Sequence, residues 1–318
     1  MMQVTKRGLT FSRLTLGTVQ LGLPYGIANK SGKPDEAAAA SILDAALAGG
    51  ISCFDTANAY GNSEEVLHGY FDRHPDVNSL IVTKMTIRAE AESAPAEVER
   101  LIYDAVASSQ SNLGLAKLPV LMLHNPEIME AHAATVTRVA KQLVKEGLVE
   151  RMGVSLRVVA KREFDALWET LQDDVYEALQ VPINLLDSRP LTFGGLQKME
   201  QTGKLVFARS IFLQGLLFME EADLPAHLRE AAGPLSMLRT IAAREGMTMA
   251  QLAFSFVRDL PAVHSIVFGA ETAKQVQDNL DWFHGPAIGE SARADIIRLL
   301  DHLPEHIVNP AYWTAAAK

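Results

Sequence analysis

Short apolar runs alternate with longer amphipathic segments along the 318 residues of the chain. Short runs bounded by turn residues are typical of buried strands, whereas apolar spacing near 3.6 is typical of helices. Eight such runs predict strands, at residues 14–17, 52–55, 80–84, 120–124, 151–154, 176–181, 204–209 and 265–267. The helical spacing is clearest at residues 36–48, 96–113 and 136–146.

Strands that alternate with helices predict parallel pairing, because each helix returns the chain to the same end of the sheet. Eight such units favour an α/β fold of the closed (β/α)8 TIM barrel type. Residues 3–5 and 9–11 predict an N-terminal β-hairpin that closes the bottom of the barrel. Residues 218–244 are too many for a simple crossover and predict an extra helix, and the tail 303–318 is expected to cover a barrel end or pack outside it. No linker divides the chain, so we expect one domain over residues 1–318.

Composition narrows the possible classes of protein. Hydrophobic residues make up 48% and charged residues 21%, which excludes a disordered chain. The formal net charge of −9 disfavours nucleic acid as a partner. No apolar stretch is long enough to predict a membrane span. The nine histidines show no metal-binding spacing, so no metal is expected. The single cysteine, Cys53, is interpreted as a packing residue and indicates a reducing, cytoplasmic location.

Three consecutive predicted strands end in an ionisable residue. Asp55 closes the second strand, Lys84 the third and His124 the fourth, and Tyr60 lies in the loop after the second. In a barrel of this type the carboxyl ends of the strands and the loops that follow them form the active site. Taken singly, these residues have ordinary explanations as a cap, a solvated lysine, a core histidine and a packing aromatic. Their placement at one end favours a catalytic site.

The four residues suit proton transfer to a carbonyl oxygen. A neighbouring ammonium makes a phenol a better proton donor, so Lys84, kept charged by Asp55, would tune Tyr60 as a general acid. His124 would orient the carbonyl by a hydrogen bond. None of these groups supplies a hydride, so the reducing equivalent must come from a cofactor.

Small residues follow the last two predicted strands, where barrels often bind phosphate. Residues 210–215 follow the seventh strand and residues 269–272 follow the eighth, leading into a helix whose amino terminus favours an anion. Plain turns explain these segments equally well. No Gly-x-Gly-x-x-Gly follows a strand, so a Rossmann-type site is not indicated.

The segment Phe-Asp-Thr-Ala-Asn-Ala-Tyr-Gly-Asn-Ser-Glu at residues 54–64, followed in order by Lys84 and His124, resembles the aldo-keto reductase superfamily. The resemblance continues at residues 153–155, 180–187, 209–215 and 269–279. It implies NAD(P)H-dependent reduction of an aldehyde or ketone, with Tyr60 as the acid. It also implies that Ser155 and Gln180 hold the nicotinamide carboxamide. The other cofactor contacts that it implies are Thr18, Asp55, Arg209, Ser210, Phe212, Gln214, Gly215, Gly269, Glu271, Gln275, Asp278 and Asn279.

Three positions depart from the family pattern. Leu156 stands where an asparagine usually contacts the carboxamide, and Arg209 stands where an aromatic ring usually stacks on the nicotinamide. Gly269 and Gln275 replace the basic residues that commonly bind the 2′-phosphate, and Glu271 adds a negative charge nearby. NADPH is the family default, but these positions leave NADH open. The charge of Arg209 predicts a preference for the reduced cofactor.

The segment at residues 17–29 is similar to that of bacterial members associated with sugar and surface-polysaccharide metabolism. In this interpretation Tyr25 and Asn125, with Tyr60 and His124, would contact a small carbonyl substrate related to a sugar or polyol. Two alternatives stay open at this point. One is a cofactor-binding sensor or regulatory subunit on the same fold, and the other is an aldolase-type barrel in which Lys84 forms a Schiff base. The sequence does not indicate an oligomeric state.

Overall fold

The structure, a computed structural model, describes residues 2–27, 29, 32–157, 160–300 and 302–316. The end of the predicted tail, Ala317 and Lys318, therefore lies outside the described residues, as does Ala28 in the segment at residues 17–29.

The chain begins with the predicted antiparallel hairpin, formed by β1 (Gln3–Lys6) and β2 (Leu9–Ser12). Its two-residue turn has positive φ at both positions, 51° at Arg7 and 80° at Gly8. Two successive positive φ values are the geometry of a type I′ turn, whose twist matches the right-handed twist of the strands. The hairpin reaches the amino-terminal ends of the barrel strands, because the Arg7 side chain bonds there to Gly203 O and Glu177.

Eight parallel strands then close into a barrel, as predicted, in the order β10-β3-β4-β5-β6-β7-β8-β9. The observed bounds differ from the predicted ones by at most two residues. The strands are β3 (Leu14–Gly17), β4 (Cys53–Asp55), β5 (Leu80–Met85), β6 (Leu118–Leu123), β7 (Val149–Ser155), β8 (Tyr176–Pro182), β9 (Leu205–Arg209) and β10 (Ser265–Gly269).

Helices surround the barrel and carry the chain between its strands. Among the described residues they are α1 (Val19–Gly22), α2 (Glu36–Ala48), α3 (Ser63–Asp72), α4 (Pro95–Leu113), α5 (Met129–Lys145), α6 (Lys161–Leu171), α7 (Arg189–Thr192), α8 (Gly195–Gln201), α9 (Ala232–Arg244), α10 (Met249–Arg258), α11 (Ala273–Phe283), α12 (Glu290–Leu300), α13 (Glu305–Val308) and α14 (Ala311–Ala316). Glycine ends α4, where Gly114 takes a left-handed φ of 65°.

Two apolar clusters form the core. The larger one packs the helices onto the outer face of the strands. The smaller one lies inside the barrel, where Val82, Met122 and Phe207 meet Leu9 and Phe11 of the hairpin. The rings of Phe11 and Phe207 stack with centroids 5.5 Å apart. The hairpin therefore completes the interior from below and leaves the opposite end of the barrel for the site.

The extra helix expected in residues 218–244 is α9, which follows a series of 3₁₀ turns. In the described part of the tail, α13 packs against the turn at Ala226–Ala231, which lies between β9 and α9. Trp313 is buried there and donates its indole N–H to His306 O at 2.9 Å. No helix in the described part of the chain is long and apolar enough to cross a membrane.

Candidate active site

A cavity of about 570 Å³ opens at the carboxyl ends of the strands. This volume is typical of a small-molecule or cofactor site. Fifteen of the nineteen residues predicted for the site line it. They are Thr18, Tyr25, Asp55, Tyr60, His124, Gln180, Arg209, Ser210, Phe212, Gln214, Gly215, Gly269, Glu271, Gln275 and Asn279. The strand ends therefore bring together side chains that are far apart in the sequence.

Lys84 lies beneath the cavity floor with no solvent exposure. Its Nζ is 2.7 Å from Asp55 Oδ2, 2.9 Å from Thr56 O and 3.5 Å from Tyr60 Oη. An ammonium has three protons to donate, so these three acceptors use all of them. Burial alone would lower the pKa of Lys84, but Asp55 and then Tyr60 outweigh it and raise the pKa above its usual value. Lys84 is therefore an ammonium directed at the phenol of Tyr60.

A chain of hydrogen bonds fixes the other oxygen of Asp55. Gln180 donates from Nε2 to Asp55 Oδ1 at 2.7 Å, and Ser155 donates from Oγ to Gln180 Oε1 at 3.2 Å. The carboxylate thus accepts a bond on each oxygen and cannot turn away from Lys84 without losing one of them. Because a charged group in a low-dielectric site is costly unless it is paired, this network also accounts for the burial of Asp55.

The loop that carries Tyr60 is held by close backbone packing. Gly61 has a φ of 58°, and a Cβ at Gly22 of α1 would lie 1.7 Å from Tyr60 O. Buried hydroxyls support the same loop, since Ser63 donates to Thr18 O at 2.8 Å and accepts from Thr56 at 3.1 Å. The position of the phenol therefore depends on the absence of a side chain at Gly22.

His124 follows β6 and faces Tyr60, with ring centroids 5.6 Å apart at 82°. Burial is the largest cause and the charge of Lys84 the next, and with two arginines they lower the pKa of His124 to about 3. The ring is consequently neutral at physiological pH and has one N–H to donate. A neutral imidazole and a phenol on the same cavity wall can both bond to one carbonyl oxygen.

The loop after β9 has an unusual backbone. Ser210, Leu213 and Gln214 all have positive φ, between 48° and 61°. Gln214 donates from Nε2 to Tyr25 Oη at 3.1 Å, which joins this loop to the loop after β3 across the mouth of the cavity. The loop is held by its own backbone, since Leu213 donates its N–H to Ser210 O and Gly215 donates to Phe212 O, each at 3.0 Å.

The opposite end of the cavity is formed by the start of α11 and by aromatic rings. The ring of Phe212 meets that of Trp282 edge to face at 5.5 Å. Beside them, Asn279 is 3% exposed, and its Oδ1 is buried without a hydrogen-bond partner among the described residues. Gln20 Oε1 is in the same condition and also lies on the cavity wall. Buried acceptors are usually hydrogen-bonded, so these two atoms are available to a donor of a molecule bound in the cavity.

Four predicted site residues do not line the cavity. Lys84 and Ser155 lie below its floor and act through Asp55 and Gln180. The amide of Asn125 is bonded to the backbone of Ile87: its Oδ1 accepts from Ile87 N at 3.0 Å and its Nδ2 donates to Ile87 O at 2.7 Å. In this geometry the predicted contact of Asn125 with the substrate is not formed. Asp278 pairs with the exposed Lys274 at 2.5 Å.

Residues that the sequence reasoning did not select also line the cavity, notably Gln20, Phe218 and Trp282. Gln20 lies two positions after Thr18, in the short helix α1 that follows β3, and Trp282 lies one helical turn after Asn279 on α11. Helical spacing along α11 is the signal that would have found Trp282.

Residues 13–293 match the profile of the aldo/keto reductase family. This match covers most of the chain, and the chain therefore belongs to that family. A D-threo-aldose 1-dehydrogenase from a Pseudomonas species is 25% identical over 301 residues, covering 82% of this chain and 88% of that protein. A pyridoxal 4-dehydrogenase from Microbacterium luteolum is 24% identical over 330 residues, covering 87% and 91%.

Solved structures show the same fold. The holo form of an aldo-keto reductase from Bacillus halodurans has a TM-score of 0.75 and 20% identity, covering 97% of this chain and 100% of that one. A glycerol dehydrogenase from Gluconobacter oxydans has a TM-score of 0.72 and 21% identity, covering 95% and 97%. The protein is thus an oxidoreductase of a family that reduces carbonyl groups and uses nicotinamide cofactors.

Proposed function

We propose that this protein reduces an aldehyde or ketone to an alcohol with a hydride from NADH or NADPH, and that Tyr60 supplies the proton. The observation that carries the proposal is the buried Asp55–Lys84 pair directed at Tyr60 on the wall of the cavity. The reaction adds one hydride to the carbonyl carbon and one proton to the carbonyl oxygen.

The protein's own residues perform the proton half of this reaction. His124 donates a hydrogen bond that places the carbonyl oxygen beside the phenol of Tyr60. As negative charge develops on that oxygen, Tyr60 gives up its proton, and the nearby ammonium of Lys84 stabilises the phenolate that remains. Asp55 keeps Lys84 charged and in place. The same charge state disfavours an aldolase-type reaction, since a Schiff base requires a neutral amine that can reach the substrate.

The residues around the cavity fit a bound dinucleotide. A bound nicotinamide would supply the hydride, and the residues at the Tyr60 and His124 end of the cavity would hold its ring. Gln180 lines that end, and the second proton of its amide, which is not donated to Asp55, suits the oxygen of a carboxamide. At the other end, the ring of Trp282 and the free acceptor of Asn279 suit an aromatic base with an exocyclic amine. The loop at Ser210–Gly215 lies between the two ends, where the pyrophosphate would sit.

The charges at the start of α11 favour NADH over NADPH. Gly269, Glu271 and Gln275 line this part of the cavity, and none of them is basic. Lys274 on the same turn is bound to Asp278. A 2′-phosphate would add negative charge to this part of the cavity, where the described lining residues offer no basic side chain to balance it.

The substrate that we propose is a small carbonyl compound bearing hydroxyl groups. The names of the relatives, which refer to an aldose, pyridoxal and glycerol, support this class. The polar groups of Tyr25 and Gln214 at the mouth offer further hydrogen bonds to hydroxyls. The cytoplasmic location and the single-domain organisation stay predictions from the sequence.

The test is a screen of aldehydes and ketones with NADH and with NADPH, run beside Tyr60→Phe. This substitution keeps the ring and removes the acidic hydroxyl. We expect turnover of hydroxylated carbonyls by the wild type, a loss on the order of 10²–10⁴-fold in kcat for the variant, and unchanged cofactor binding.

Each other outcome has a definite meaning. Stoichiometric cofactor binding without turnover of any carbonyl would favour a sensor or regulatory subunit on this fold. A large advantage for NADPH would refute the argument from the charges at the start of α11. A fully active Tyr60→Phe would remove Tyr60 from the mechanism.

A further inference from the structure

Arg209 is a cation of the cavity wall that no carboxylate among the described residues neutralises. It is the last residue of β9 and is half-buried at the floor of the cavity. Its guanidinium donates to Leu156 O at 2.8 Å and to Ser210 Oγ at 3.0 Å. Both acceptors are uncharged, and within the described part of the chain no ion pair closer than 4.0 Å involves Arg209. Its charge is therefore retained in the site.

The other charges at this end of the cavity cancel. Lys84 and Asp55 form a neutral pair at 2.7 Å, and His124 is uncharged near neutral pH. The field of Arg209 reaches this group, since it contributes to the lowered pKa of His124 and acts on Tyr25 as well. The end of the cavity where proton transfer takes place thus carries one net positive charge.

We infer that Arg209 makes this protein bind the reduced nicotinamide cofactor more tightly than the oxidised one, and thereby favours release of the oxidised cofactor after reduction. The inference rests on the proposed function, because hydride transfer requires the nicotinamide ring beside the carbonyl held at Tyr60 and His124, over the floor that Arg209 forms. The reduced ring is neutral and the oxidised ring carries one positive charge. Arg209 repels only the second.

The same charge acts in opposite ways on the two reacting groups, because it opposes the positive charge that the nicotinamide ring gains on losing hydride and stabilises the negative charge on the carbonyl oxygen. During reduction the carbonyl oxygen gains negative charge before the proton arrives from Tyr60, and a nearby cation stabilises that charge. After the reaction the oxidised cofactor is repelled, which favours its release. The planar guanidinium can still lie flat against the ring, so its charge rather than its shape distinguishes the two forms.

The experiment measures dissociation constants rather than turnover. Kd values for NADH and NAD⁺ are determined by fluorescence and calorimetric titration for the wild type, Arg209→Met and Arg209→Lys. We expect the wild type to bind NADH at least about tenfold more tightly, the effect of one charge in a partly hydrated cleft. In Arg209→Met the ratio should fall toward one, and in Arg209→Lys it should persist. A tenfold ratio corresponds to a shift of about 30 mV in the midpoint potential of the bound couple.

Arg157→Met is the matched control. Arg157 also acts on His124, but it is 53% exposed and pairs with Glu127 at 2.6 Å, and it does not line the cavity. Removing its charge should leave the ratio unchanged. The ratio of the wild type should also shrink as salt is added, because salt screens a charge in an open cleft. This salt titration uses the wild type alone, so its result does not depend on whether a variant folds.

The outcomes separate the inference from the proposed function. Equal affinities of the wild type for NADH and NAD⁺, or an unchanged ratio in folded Arg209→Met, would overturn the role of Arg209 alone. Failure of the wild type to bind NADH, NADPH or their oxidised forms would overturn the proposed function as well.

Discussion

At the scale of single residues, the charge state of Lys84 decides what the site can do. Its three protons are already donated, and its pKa is raised by Asp55 and Tyr60 despite complete burial. A buried lysine without such partners would lose its proton and become a nucleophile. The neighbouring carboxylate makes it instead a fixed positive charge that serves Tyr60.

His124 gives a prediction about pH. Because burial and Lys84 lower its pKa to about 3, we expect its ring to stay neutral from pH 8 down to about pH 4. The unfolded chain takes up this proton near pH 6.5, so it binds more protons than the folded protein across this window. The contribution of His124 to stability is thus present above pH 6.5 and decreases as the pH falls. Ring ¹⁵N shifts in an NMR titration, assigned with His124→Gln, measure the state directly, and protonation near pH 6.5 would contradict the prediction.

The residues that could be predicted from sequence are those whose position follows from the strand itself. Asp55, Lys84 and His124 end apolar runs, and the ends of parallel strands meet at one edge. Asn125 shows the limit of this reasoning. It lies next to His124, yet its amide turns to the backbone of Ile87. The direction of a side chain depends on a partner distant in sequence, and no local pattern reveals it.

At the scale of elements, the bounds of a helix could be predicted best where its apolar residues follow a clear helical spacing. Helix α2 (Glu36–Ala48) has the predicted bounds, whereas α5 begins at Met129, before the predicted start at 136. The early part of α5 is interrupted by non-helical φ and ψ at His132, a buried polar residue that weakens the apolar pattern. The 3₁₀ turns before α9 have no period to detect. They follow the loop with positive φ that closes part of the cavity.

Contact between α1 and the Tyr60 loop gives the second prediction. A Cβ at Gly22 would lie 1.7 Å from Tyr60 O and 2.8 Å from Ser63 N, so Gly22→Ala must displace the loop. We expect the protein to remain folded and kcat to fall at least about tenfold, since small displacements of a catalytic group cost large factors in rate. Steady-state kinetics with circular dichroism check this.

Gly69 of α3 supplies the matched control, because a Cβ there would meet nothing within 4 Å. Gly69→Ala should leave kcat unchanged and raise stability slightly, as alanine favours a helix. An active Gly22→Ala would show that the loop can move without carrying the phenol away from Lys84.

At the scale of the whole molecule, the two ends of the barrel have separate tasks. The carboxyl ends of the strands carry the cavity, and the hairpin of β1 and β2 closes the other end. The number of strands could be predicted from the alternation of patterns, because eight βα units close a barrel. The contacts of the hairpin could not, since they join Arg7 to residues about 170–200 positions away.

Arg7 tests this separation. Its guanidinium donates to Gly203 O at 2.8 Å, Thr202 O at 3.3 Å and Glu177 Oε2 at 3.2 Å, and its own carbonyl accepts from Arg151. Arg7→Ala removes three charge-assisted bonds at a partly buried site and keeps the positive φ of the turn. We expect a loss of about 1–3 kcal/mol in the free energy of unfolding, measured by urea denaturation, with kcat within about twofold of the wild type.

The control for this variant is Lys6→Ala, which removes one positive charge at the preceding residue of the hairpin. In the wild type, Lys6 forms no ion pair with the described residues. It should change the unfolding midpoint little. Equal losses in both variants would attribute the effect to net charge rather than to the bonds of Arg7. A loss of activity in Arg7→Ala without a loss of stability would show that the hairpin influences the cavity through the barrel interior, where Phe11 stacks on Phe207, and would refute the separation of the two ends.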